Sequence, residues 1–318
     1  MPSWVPTILH PTKCFWPRPI QYHLLTKDPG TPSVSRPWVR RFWGWVHRAL
    51  VKFSRWYCPI FGVRYDWGPI NTGPIFPLPF GLLIKWSDRT SIAEAVATQM
   101  ARSGGLPAPK VLCYGEHPGQ SFEVSILMTR LPGYGLFNYT DVFDVEEEQP
   151  WFDEFVQCMD AVRRWPSPFP DGMVCSATGG EIKTIRAPGR KMGPFSTTNK
   201  MMEYLLEPAS CDGLTEERFH EHMTRARQLC DRKHRITFTH GDVLPWNLLV
   251  DDDFKLSGII DWESAGWQPE YWEYVTSMRR GKDTWWYQAM NIMCNNEFDV
   301  EREADNSMAG LTADAWGI

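Results

Sequence analysis

The chain has 318 residues, a hydrophobic content of 43% and a net charge of −5, which leaves room for two sizeable cores and argues against general affinity for nucleic acid. No run of about eighteen apolar residues exists, so no spanning helix is expected. The eight scattered cysteines include no CxxC pair, which argues against a zinc site. The opening residues are broken by prolines and carry no apolar stretch after a basic start. No secretory leader is therefore expected, and the thiols read as reduced ones in a cytoplasmic protein.

Residues 1–37 hold eight of the 26 prolines and read as an irregular, extended arm. Residues 38–57 read as a helix. Val39, Phe42, Val46, Ala49, Phe53 and Trp56 recur at three- and four-residue steps, while Arg41, Arg48, Lys52 and Arg55 gather on another face. The favoured expectation buries the aromatic stripe against a small N-terminal lobe, because the stripe needs cover and Gly44 weakens an isolated helix. The less favoured one lays 38–57 on a membrane surface or a partner as a basic amphipathic helix. Residues 58–85 should supply strands, with Asn71-Thr72-Gly73-Pro74 as a turn. Leu82-Leu83-Ile84-Lys85 reads as an apolar strand whose last residue points one cation off a rigid floor. A helix follows over 91–102, with Ser91 as its N-cap and Glu94 three positions on, the spacing of a capping box.

Residues 110–114 and 122–128 look like a strand pair. The acidic run 141–148 reads as a solvated face, with substrate binding as the alternative. Pro150 should open a helix over 151–165 that turns Phe152, Phe155, Met159 and Val162 inward. Residues 166–200, rich in Gly, Pro and Ser, read as irregular, and helices are expected over 198–206 and 215–233. The aromatic stretch 267–286 should pack the larger core, and the polar residues 297–318 should fray.

Most of the readable chemistry falls within 236–263, ITFTHGDVLPWNLLVDDDFKLSGIIDWE. Ile236-Thr237-Phe238-Thr239 has strand composition and runs into His240-Gly241-Asp242. Leu248-Leu249-Val250 and the residues from Phe254 to Ile260 form the arms of a hairpin. Asp251-Asp252-Asp253 supplies its turn, since Asp bonds its own backbone and tolerates unusual dihedrals. Asp242 and Asn247 lie five positions apart, and Asp261 fourteen beyond Asn247. Phosphoryl transfer from ATP needs such a set: one carboxylate for the acceptor hydroxyl, and an amide oxygen with a second carboxylate for magnesium.

This segment resembles the aminoglycoside phosphotransferase family of protein-kinase-like small-molecule kinases, in particular its fungal branch. The residues that carry the resemblance are His240-Gly241-Asp242, Asn247, Ile259-Ile260-Asp261-Trp262-Glu263 and Pro269-Glu270-Tyr271-Trp272-Glu273-Tyr274. The spacing matches the protein-kinase pattern H-R-D-x4-N followed by D-F-G, from which Gly241 and Trp262-Glu263 depart. The resemblance implies an α+β, bilobal protein-kinase-like fold with a small β-rich N-lobe and a larger, mainly helical C-lobe. It divides the chain into an extension (1–57), an N-lobe (58–130) and a C-lobe (131–318). It implies that Asp242 serves the acceptor hydroxyl, with His240 ordering the loop, and that Asn247 and Asp261 hold Mg2+. It further implies that Lys85 contacts the α- and β-phosphates of ATP, aimed by Glu94. Met128, Thr129 and Leu131 fall in the stretch that would meet adenine through the backbone.

A protein substrate is disfavoured, because Pro269-Glu270 follows Asp261 by only eight positions and leaves no long activation segment. A hydroxylated small molecule is the expected acceptor. No G-x-G-x-x-G occurs, so the alternative is a pseudokinase that senses nucleotide or acts as a scaffold.

Overall fold

The computed structural model describes residues 6–63, 75–136, 144–211, 213–280 and 284–316. Along the described chain run α1 (Pro37–Tyr57), β1 (Ile75–Leu78), β2 (Leu82–Lys85), α2 (Ile92–Ser103), β3 (Val111–Glu116), β4 (Val124–Thr129) and β5 (Tyr134–Gly135). There follow α3 (Val145–Arg163), β6 (Cys175–Ser176), β7 (Ile182–Lys183), β8 (Lys191–Met192), α4 (Thr198–Leu206), α5 (Glu216–Asp231) and β9 (Ile236–Thr239). The last elements are β10 (Leu248–Val250), β11 (Leu256–Ile259), β12 (Gly266–Pro269), α6 (Trp272–Ser277), α7 (Trp285–Cys294) and α8 (Asp299–Trp316). The turn expected at 71–74 and the start of the acidic run, 141–143, lie outside the described residues.

The chain forms two compact units, the first made of Met1–Gly135 and Leu248–Ile260. Its centre is an antiparallel sheet in the order β1-β2-β4-β3. Successive side chains of a strand point to opposite faces. Leu127 accordingly joins Phe76, Leu78, Ile84 and Val51 of α1 on one side, while Ile126 and Met128 join Val111, Tyr114 and Ala95 of α2 on the other. Each fully buried aliphatic side chain there contributes about 1.5–3 kcal/mol.

Helix α1 appears where periodicity placed it, but the expected inward face is wrong. Its buried residues are Gly44, His47, Val51 and Ser54, not the aromatic stripe. The cause is a close approach of backbones. A Cβ on Gly44 would collide with the carbonyl oxygen of Glu116, and Gly115 of β3 leaves the matching gap. At that distance bulky side chains do not fit at the crossing point, so the tryptophan and phenylalanine rings turn away. The approach also lets polar side chains find partners: Ser54 Oγ donates to the Pro77 carbonyl at 2.6 Å, and His47 Nδ1 lies 2.7 Å from Ser125 Oγ.

The N-terminal arm is irregular as expected, yet it is tied down. Trp16 N–H donates to the Arg130 carbonyl and Gln21 N–H to that of Gly105, each at 2.8 Å. The hairpin β10–β11 closes this unit, with Asp251 Oδ1 accepting from the amides of Asp253 and Lys255.

The second unit comprises Leu136–Asn247 and Asp261–Ile318. A short antiparallel sheet, β6-β12-β9, sits among helices. Trp151, Trp267, Trp272, Tyr271, Phe155 and Phe238 are among its largest fully buried side chains, so the aromatic tail packs this core as expected. Three expectations need correction. Helix α3 starts six residues earlier than position 151, because Asp144 caps it by accepting from Glu146 N–H, and Pro150 sits inside it. Residues 166–200 are not merely irregular: they contribute β6, β7 and β8, and buried Arg186 pairs with Asp305. The polar end does not fray through α8, whose Glu301, Asp305, Ser307 and Thr312 are buried. Its acids meet partners instead of water, with Arg186 against Asp305 and with Arg232 and the His234 ring beside Glu301.

Candidate active site

In the first unit, Lys85 ends β2 with its Nζ 2.9 Å from Glu94 Oε1, and both residues are buried. Glu94 could have closed a capping box or met this lysine, and the two demands are met separately. Ser91 Oγ accepts the Glu94 backbone N–H at 3.1 Å, which leaves the Glu94 carboxylate for Lys85. A strand end and a helix first turn thus hold one ammonium group on a rigid base.

Met128 and Thr129 finish β4, and Leu131 follows two positions later; all three are buried. Arg130 has both backbone groups engaged, its N–H with the Gly81 carbonyl and its C=O with Trp16 N–H. Thr129 donates its N–H to the Lys110 carbonyl instead. The backbones of Thr129 and Arg130 therefore turn to opposite sides of the chain.

The second unit holds the HGD loop. Strand β9 pairs with β12, Gly266 opposite Thr239, so the loop leaves a fixed strand end. Glu273 on α6 then accepts two successive amides, His240 N–H at 2.6 Å and Gly241 N–H at 3.0 Å. Gly241 has φ +78°, and a Cβ there would strike the Ser264 carbonyl. This explains the departure from the kinase arginine: the position admits no side chain. His240 is fully buried, its ring 4.6 Å from that of Trp262, and its Nδ1 accepts the Asp242 N–H at 3.3 Å. The imidazole is a strut for the loop.

Asp242 and Asn247 meet directly. Asn247 Nδ2 donates to the Asp242 carbonyl at 2.8 Å and lies 3.3 Å from Oδ2 of its carboxylate. Asp261 enters through hairpin register. Leu248 pairs with Ile259, which sets Asn247 and the Ile260-Asp261 step at neighbouring strand ends. Asp261 adopts the left-handed region, φ 66° and ψ 60°, immediately before the short helical turn Trp262–Ser264. Such a conformation in a non-glycine residue costs energy and clusters at functional sites.

The donors Asn247 and Asp261 offer oxygen: an amide whose nitrogen is already committed, and a carboxylate. One carboxylate with neutral oxygens suits a hard divalent cation that keeps waters. No group of three or more His, Cys, Asp or Glu placed to bind a metal occurs among the described residues, so a softer-metal cage is not present there.

Nothing in the sequence assigns Glu273 a role. Its carboxyl is pushed up to about 7, foremost by burial, with the charge of Asp242 adding and the two amide bonds opposing. The only available signal was an acid in a short helix that is otherwise aromatic or small. Gln268 went unnoticed too. Its Nε2 bridges Thr239 Oγ1 at 2.8 Å and the Ser264 carbonyl at 3.1 Å, which joins the loop to the segment after Asp261.

Comparisons with known proteins bear on the family and the fold of the chain. The profile of the phosphotransferase enzyme family matches residues 84–298, from the strand of Lys85 past the tail of aromatic residues. No curated protein matches the chain in sequence. Among solved structures, a thermostable mutant of the aminoglycoside phosphotransferase APH(4)-Ia in ternary complex with AMP-PNP and hygromycin B superimposes with a TM-score of 0.54 at 15% identity, covering 84% of this chain and 95% of that one. A further mutant of that protein, in complex with ADP and hygromycin B, gives 0.53 at 14% identity over 83% and 95% of the two chains. At such identities the likeness speaks for the fold, which is the α+β, protein-kinase-like fold of these enzymes. With the profile spanning most of its length, the chain belongs to the phosphotransferase enzyme family.

Proposed function

We propose that the protein transfers the γ-phosphoryl group of ATP to a hydroxyl group of a small molecule. The observation that carries this reading is the direct bond between Asn247 and Asp242 on a loop that Glu273 and His240 hold in place. Asp242 orients the acceptor hydroxyl and takes its proton as the new O–P bond forms and the bridging bond to ADP breaks. A loose transition state needs positioning more than a strong base, so an ordinary carboxylate suffices. Asn247 and Asp261 would hold Mg2+ through oxygen, and the ion would supply neutralisation of charge on the phosphate oxygens. Lys85, aimed by Glu94, steadies the α- and β-phosphates. The Thr129 carbonyl and the Leu131 N–H are the backbone groups assigned to adenine.

ATP with magnesium should raise the melting temperature, and Asp242→Asn should lower ATP turnover by at least about a hundredfold. Absence of any nucleotide-dependent shift would end this reading. A shift with turnover indifferent to Asp242 would move the assignment to a nucleotide sensor.

A further inference from the structure

Helix α1 presents two unlike sides. The side toward the sheet carries Gly44, His47, Val51 and Ser54. On the opposite side Trp38, Phe42, Trp45, Phe53 and Trp56, at steps of four, three, eight and three residues, share one stripe and are 36–67% exposed. Along one flank of that row stand Arg41, Arg48, Lys52 and Arg55, all exposed. From Trp38 to Trp56 the row extends about 27 Å along the helix axis.

The charge is as one-sided as the rings. Between Asp28 and Asp66 there is no acidic residue, while Arg36, Arg40, Arg41, Arg48, Lys52, Arg55 and Arg64 all fall in that interval. The chain as a whole carries −5, so this stretch is a local inversion of its sign. Arg40 is taken by Glu116 at 2.8 Å, but that residue lies toward the sheet. An open groove of about 990 Å³ runs beside the cationic flank, with Arg48, Lys52 and Arg55 among its lining residues and Phe76 and Trp86 supplying apolar surface. The Arg55 guanidinium lies over the Phe76 ring, 5.4 Å from its centre.

From these observations we infer that the outer face of α1 docks on an anionic lipid surface, with the tryptophan row at the headgroup boundary and the arginine and lysine flank on lipid phosphates. Indole rings favour that boundary, and cations beside an apolar helical face bind anionic leaflets. A second copy of the chain is the poorer occupant, because two such faces would oppose cations to cations with no acid on either helix. A convex row of protruding rings also fits a plane better than a pocket. The helix lies on the surface and does not cross it, since no described helix is long and apolar enough to span a membrane.

The test is co-sedimentation of the full chain with vesicles of phosphatidylcholine alone and with roughly a third phosphatidylserine. The chain should pellet with the anionic vesicles and be released as salt rises toward about 1 M, where screening acts within a few ångströms. Arg48→Gln with Lys52→Gln should weaken that binding roughly thirtyfold. Trp45→Ala with Trp56→Ala should weaken it at unchanged charge and, at exposed positions, with an unchanged melting temperature. Failure of the wild-type chain to pellet with anionic vesicles would overturn the inference, as would undiminished pelleting of both variants. A dimer in velocity sedimentation that Trp45→Ala disperses would give the face to a second copy and overturn it equally.

Discussion

Glu94 and Glu273 are two buried carboxylates in the first turns of helices, one in each unit. Glu94 answers a cation, Lys85, whereas Glu273 answers two consecutive backbone amides. The difference separates two ways of organising a site. An ion pair aims the head of a long, flexible side chain, and its charges depend on one another for solvation. A carboxylate bound to successive amides fixes a backbone path, and so directs a residue it does not touch, here Asp242. First-turn positions suit both acids, because unsatisfied amides there favour negative charge.

The largest effect should come from breaking the ion pair on one side. Lys85→Met leaves the Glu94 carboxylate buried without its cation and should cost about 3–5 kcal/mol in urea unfolding. Adding Glu94→Leu should restore most of that stability but not the nucleotide-dependent rise in melting temperature. A stable single variant would show that the pair does not support the first unit.

Glu273→Gln comes next. The amide keeps the size but presents an N–H where an acceptor is needed, leaving an amide of the HGD loop unmet at about 1–3 kcal/mol. Turnover should fall roughly 10- to 100-fold through displacement of Asp242, while nucleotide binding holds. Equal loss of nucleotide binding would contradict a role confined to the loop.

The remaining test is the pH dependence. Burial raises the Glu273 carboxyl from the ordinary 4.5 to about 7. As pH rises through that window, the unfolded chain gives up this proton while the folded chain retains it. Stability contributed by Glu273 therefore falls between the two values and is level above the higher one. The buried pair His47 and His117 works in reverse. Both are lowered to about 4, mainly by burial, so stability falls as pH drops below the ordinary histidine value of 6.5. Subtracting the stability profile of Glu273→Gln from that of the wild type removes the histidine contribution and should leave the downward limb alone. A flat difference would show that Glu273 does not titrate in this range.

Much of this was legible beforehand. The strand before His240, the aspartate-rich hairpin turn and the strand ending in Lys85 each rest on signals a few residues long. The reversed face of α1 was not legible. The face that docks was chosen by Gly44 meeting the Glu116 carbonyl, a partner over seventy positions away. The order of 166–200 and of α8 was hidden for a related reason. Arg186, Glu301 and Asp305 look like surface residues in composition and become core residues only by pairing.

By itself, the sequence determined which residues could carry the chemistry and how the chain spaces them, because hydrogen-bonding capacity, charge and local backbone preference belong to individual residues. Tertiary structure alone decided that Glu273 holds the HGD loop, that Gly241 must lack a side chain and that the rings of α1 face outward. Those outcomes depend on which distant backbone lies within 3 Å or so of a given atom, and no local pattern encodes that distance.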